Sequence, residues 1–108
     1  MTDFKDRQRG EEAKYAMDEE SAFKIAVRRN RLIGEWAAEL MGLTQEETDA
    51  YKKSVVQADF EEAGDEDVIR KLLGDLTGAG CEVSEADVRA KLEECAVEAR
   101  RQFMANQG

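Results

Sequence analysis

Arg28, Arg29 and Arg31 crowd around Asn30, six positions before Trp36, the only tryptophan, in the stretch AVRRNRLIGEWAAELMG that covers residues 26 to 42. Guanidinium forks bind carboxylates and phosphates in two-pronged fashion, and an indole face attracts cations. Three uses of the cluster are open: pairing within the chain, contact with the acidic face of a partner, or capture of an anion or nucleotide phosphate. Between positions 44 and 69 two lysines face nine carboxylates, so intrachain partners for the arginines are abundant. No phosphate loop accompanies them, because GDLTGAG lacks the lysine and hydroxyl pattern that such a loop needs.

Other chemistry is poorly represented. The chain has no histidine, which removes the usual pH switch and the Glu-x-x-His pattern of carboxylate-bridged metal bundles. Cys81 and Cys95 lie fourteen positions apart, with no histidine to complete a zinc finger or a thiol–imidazole pair. They are expected as buried, reduced thiols. Acidic neighbours such as Glu61/Glu62 and Glu93/Glu94 cannot face each other on a helix, so solvated surface is expected of them rather than general acid–base work. No catalytic residue, metal ligand or cofactor site is expected.

Sixteen basic and twenty-five acidic residues give a net charge of −9 over 108 residues. A field of that sign repels phosphate backbones and anionic bilayers, so no nucleic-acid partner and no membrane insertion are expected. Apolar runs are far shorter than the roughly 20 residues needed to span a bilayer, and the charged N-terminus carries no signal-type apolar region. A cytoplasmic chain, monomeric when free, is the expectation.

The elements that must position these residues are helices. Proline is absent and the apolar rhythm runs near 3.6, which predicts an all-α chain, a four-helix bundle. The first helix spans about Ser21 to Met41 with Gly42 as its stop. The capping box TQEE opens the second at Thr44, which runs to just before Gly64. Asp65 caps a third, EDVIRKLLGDL, ending in TGAG, and Ser84 with Asp87 opens a fourth that reaches about Met104.

Stripes of three and four steps mark the buried faces: Val88, Leu92, Cys95, Ala96, Ala99 and Phe103 on the fourth helix, and Val68, Ile69, Leu72, Leu73 and Leu76 on the third. The second helix carries Tyr51, Val55 and Ala58 on one flank and Val56, Phe60 and Ala63 on the next, both expected inward. On the first, Phe23, Ala26, Val27, Ile33, Gly34, Ala37 and Met41 line one side and Ile25, Leu32 and Trp36 nearly the opposite one. Two apolar sides predict a central helix, or one whose Trp36 side receives a partner. Asn30 lies on the better apolar face and is expected to bond a helix-end or loop carbonyl.

Residues 1 to 20, MTDFKDRQRGEEAKYAMDEE, offer only Phe4, Tyr15 and Met17 as sizeable apolar side chains, with Gly10 between. An isolated helix of that length is marginal in water. The segment is therefore expected as a flexible, partly helical arm, helix-prone near Glu11 to Met17, that is either a solvated tail or folds on binding.

The strings EAKYAMDEE, RRNRLIGEWAAE and VVQADFEEAGDEDVIRKLLGDL resemble the small zeta subunit of alphaproteobacterial F-type ATP synthases, with RRNRLIGEWAAE the most specific. The resemblance implies a four-helix domain over residues 21 to 108 and an inhibitory arm over residues 1 to 20. That arm would enter a catalytic interface of the ATPase head, built of alpha, beta and gamma subunits, and block ATP hydrolysis, as the mitochondrial ATPase inhibitor protein does. Carried over by position, its contacts are Phe4, Lys5, Asp6, Arg7, Arg9, Glu11, Glu12, Lys14, Tyr15 and Asp18. The resemblance also places the chain at the inner membrane, peripherally, through the synthase. Gly10 departs from the pattern, and a glycine costs a helix interior about 1 kcal/mol, which implies weaker inhibition. The alternative is a nucleotide- or anion-binding helical module that uses the arginine cluster.

Overall fold

A computed structural model describes residues 19–60 and 64–107, and among these the protein forms four helices and no strand. They are α1 (Glu19–Met41), α2 (Gln45–Ala58), α3 (Glu66–Gly78) and α4 (Glu85–Gln107). The inhibitory-arm positions Phe4 to Asp18 lie outside the described residues, as does Ala63.

Where the ends are set by local hydrogen bonding, the helices start and stop where the residue types require. At the head of α2 the Glu47 amide donates to Thr44 Oγ1 at 3.1 Å, while the Thr44 amide donates to the Glu47 carboxylate at 2.9 Å. Ser84 and Asp87 make the same reciprocal pair at the head of α4, at 3.1 and 3.0 Å. Gly42, at φ 72°, closes α1 and lets the Leu43 amide reach back to the Ala38 carbonyl at 3.0 Å. Gly80, at φ 87°, does the same for α3, its neighbour Cys81 donating to the Leu76 carbonyl at 2.9 Å. A side chain at either position would strain that left-handed turn.

Four boundaries differ from expectation, among them the end of α4, which reaches Gln107 where about Met104 was expected. Glutamates 19 and 20 already belong to α1, where an acidic first turn suits the helix dipole. The third helix continues through Gly78 instead of breaking at TGAG. The second ends at Ala58, well before Gly64, with Asp59 as its C-cap.

The core joins Ile33 and Ala37 of α1, Val55 of α2, Val68, Ile69, Leu72 and Leu76 of α3, and Val88, Leu92 and Cys95 of α4. Each fully buried branched side chain removes about 1.5–3 kcal/mol of apolar surface from water. The first helix is the central one, touching each of the other three, with α2 and α4 its main neighbours. It approaches α2 closely at Gly34, where an added Cβ would stand 3.1 Å from Lys52 Cα and 3.5 Å from a Val55 methyl. That explains a glycine in the middle of a long helix, a place where its conformational freedom is otherwise a cost.

The apolar reading of α2 is half right. Tyr51, Val55 and Ala58 pack inward, but Phe60 is 58 % exposed, stacked on the equally exposed Phe23 of α1 with ring centroids 5.5 Å apart and planes at 9°. Ending α2 at Ala58 releases Phe60 from the helical stripe, which removes it from the core.

Candidate functional site

The arginine cluster sits on the middle of α1 and its three members do different things. Arg29 is the structural one, its side chain 12 % exposed. Nε donates to Asn30 Oδ1 at 3.0 Å, one terminal nitrogen to Asp65 at 3.0 Å and the other to Asp59 at 3.4 Å. Asn30, 1 % exposed, donates from Nδ2 to the same Asp59 oxygen at 2.9 Å. The expected carbonyl partner of Asn30 is thus a carboxylate. No buried side-chain nitrogen or oxygen lacks a partner among the described residues.

This node accounts for both ends of the α2–α3 connection. A carboxylate at a helix C-terminus opposes the dipole, and Asp59 is tolerated there because Arg29 balances its charge and Asn30 donates a hydrogen bond to it. Asp65 occupies the N-cap position of α3 but makes no side-chain capping bond. Its carboxylate is given to Arg29 instead. Asp59 and Asp65 are structural partners of the cluster that residue-level reading missed; the available signal was an aspartate at a helix end in a chain whose α1 carries adjacent guanidinium groups.

Arg28 points toward α4, donating to Gln102 Oε1 at 3.0 Å. Gln102 in turn donates to Glu98 at 2.8 Å, and Glu98 is gripped by Arg101. The Arg101 and Gln102 hydrogen bonds hold the exposed Glu98 carboxyl down at about 2. Arg31 is exposed and, among the described residues, has no charge partner. With Phe23, Val27, Arg28 and Phe103 it borders a shallow groove of about 550 Å³ between the start of α1 and the end of α4.

Trp36 is half-buried, and a cation lies over its ring. That cation is Lys91 of α4, with Nζ 5.9 Å from the ring centroid. Cys95 is buried, and that burial pushes its thiol up, whereas Cys81 is only half-buried and donates to the Leu40 carbonyl at 3.3 Å; both are free. Between α2 and α3, the Tyr51 hydroxyl donates to Asp75 at 2.7 Å, and burial, then Asp75, raises it well above an ordinary phenol.

Among the described residues the chain is a small all-α bundle in which the Arg29 and Asn30 node fixes the helices to one another. The model of the family described as ATPase inhibitor subunit zeta matches residues 1–102, and the chain belongs to that family. A protein solved by solution NMR is 51 % identical, with the match covering 78 % of this chain and 95 % of that chain at a TM-score of 0.69. Comparison with curated proteins returns no match.

Proposed function

We propose that the chain inhibits ATP hydrolysis by an F-type ATP synthase through residues 1 to 20, which fold into a catalytic interface of the head, against its alpha, beta and gamma subunits. The observation that carries this reading is the extent of the family match, which begins at residue 1 and so includes the arm as well as the bundle. The chain acts as a regulator with no catalytic residue and no cofactor of its own, cytoplasmic and held at the inner membrane only through the synthase. Among the described residues no helix is long and apolar enough to cross a membrane.

The physics of the arm fits the role. Coupled folding and binding costs about 2–5 kcal/mol of the gross interaction energy, so a short segment needs a large groove in its target. Phe4 and Tyr15 serve as anchors, while Arg7, Arg9 and Lys14 pair with carboxylates along the cleft. A central helix clamped by its neighbours gives that segment a firm base at Glu19. The anion-binding alternative has less support, because the Arg29 fork is already engaged by Asp59 and Asp65.

Removing residues 1–18 tests the assignment. Helical content and cooperative melting should persist, since none of the core residues is lost, while inhibition of the purified ATPase disappears. Full inhibition by the shortened chain would overturn it.

A further inference from the structure

The end of the bundle where α1 begins carries cationic and apolar surface that the fold leaves unused. The groove between the start of α1 and the end of α4 is lined by Phe23, Lys24, Val27, Arg28, Arg31 and Phe103, and no carboxylate borders it. Lys24 has only Glu20, at 3.4 Å with both side chains largely exposed, and Arg28 donates to the neutral Gln102. Arg31 has no charge partner among the described residues. In a chain of net charge −9 this is a local reversal of sign. The apolar surface is equally unspent. Four large apolar side chains are exposed among the described residues, and two of them meet here, where Phe23 of the groove stacks on Phe60.

We propose that this groove docks the bundle onto an acidic segment of the ATPase head at the rim of the cleft that receives residues 1–18, with carboxylates on Lys24, Arg28 and Arg31 and an apolar side chain against Phe23 and Phe60. The identity of the partner rests on the function proposed above; the choice of face rests on the bundle alone. Phe23 and Arg31 lie four and twelve residues from Glu19, about 6 and 18 Å along α1. A head that holds the segment preceding Glu19 therefore meets this end of the bundle first. The chemistry of the occupant follows from the groove, because guanidinium forks pair with carboxylates two-pronged and aromatic and arginine side chains anchor protein interfaces. Nucleic acid and anionic bilayers spread their charge far beyond one groove and meet the repulsion of the whole chain, and a second copy brings its own −9. A short acidic segment faces only the cationic end, which steers it there.

Arg31 and Phe23 are exposed and outside the core, so they can be changed in the full chain without loss of the fold. With benzoylphenylalanine in place of Phe23, irradiation in the presence of the purified head should cross-link the chain to a carboxylate-rich peptide of a head subunit. Arg31→Glu should slow association with the head about tenfold at low salt and flatten its salt dependence, with Arg31→Lys recovering most of the rate. Phe23→Ser should speed dissociation at least about fivefold. Both variants keep residues 1–18, so saturating amounts should still inhibit hydrolysis fully. Rates equal to native in both variants, or a cross-link to a second copy of this chain, would overturn the docking and leave the inhibitory reading intact. So would binding of the native chain to phosphatidylglycerol vesicles that Arg31→Glu abolishes. A native chain that neither binds nor inhibits the head removes the inhibitory reading, and the docking with it.

Discussion

Asn30 and Arg29 show how little of a buried polar residue's role resides in its own neighbourhood. Asn30 is nearly inaccessible and serves Asp59, 29 positions away, while Arg29 bridges Asp59 and Asp65, 30 and 36 positions away. Replacing Asn30 by Ala leaves Asp59 short of a donor and should cost about 1–3 kcal/mol, read as a lower urea midpoint at unchanged slope. Arg29→Lys keeps the charge but not the fork. It should lose at least one carboxylate and about 1 kcal/mol, whereas Arg31→Ala, on an exposed side chain, should stay within about 0.5 kcal/mol. The thiols differ in the same way: Cys81 should react first with a thiol reagent in the native protein, and Cys95, buried and with a raised titration point, only as the bundle opens.

At the level of elements, Gly34 is the most exacting position. Leucine there would drive side-chain atoms into the Lys52 backbone, forcing α1 and α2 apart at a cost of about 1–3 kcal/mol, measurable as a lower melting temperature. Tyr51 joins α2 to α3 and sets an alkaline limit. Its hydroxyl is raised in the folded state, so its contribution is complete below the ordinary phenol value of 10.0 and fades as pH rises beyond it. Ultraviolet titration should show Tyr51 ionising only with unfolding; Tyr51→Phe should flatten the alkaline loss. What could be read from residue types follows the same division between local and distant. The starts of α2 and α4 and the stop at Gly42 were legible because each is decided within about four residues. The end of α2, the missing side-chain cap of Asp65 and the exposure of Phe60 were not, because α1 side chains decide them across thirty or more positions. For the candidate site, the arginines were visible as a cluster, but which of them would be buried, shared or free depended on that same packing.

For the molecule as a whole, acid should loosen the bundle through its paired carboxylates. Glu98, lowered to about 2 by Arg101 and then Gln102, stabilises the fold above its ordinary range near 4.5 and loses that contribution as pH falls toward 2; Glu66, lowered by Arg89, behaves likewise. Both groups are exposed, so the effect of each is small and screened by salt. Glu98→Gln should reduce the difference in melting temperature between pH 7 and pH 3 without altering the neutral fold.

The sandwiching of α1 between α2 and α4 has a mechanical side. A pull along the axis of α1, delivered through Glu19, would have to slide the helix past both neighbours at once, tearing the Arg29 bridge and the Gly34 seam together instead of unzipping contacts one by one. A tether built in this way bears tension in shear, the direction in which helices packed side by side yield least readily.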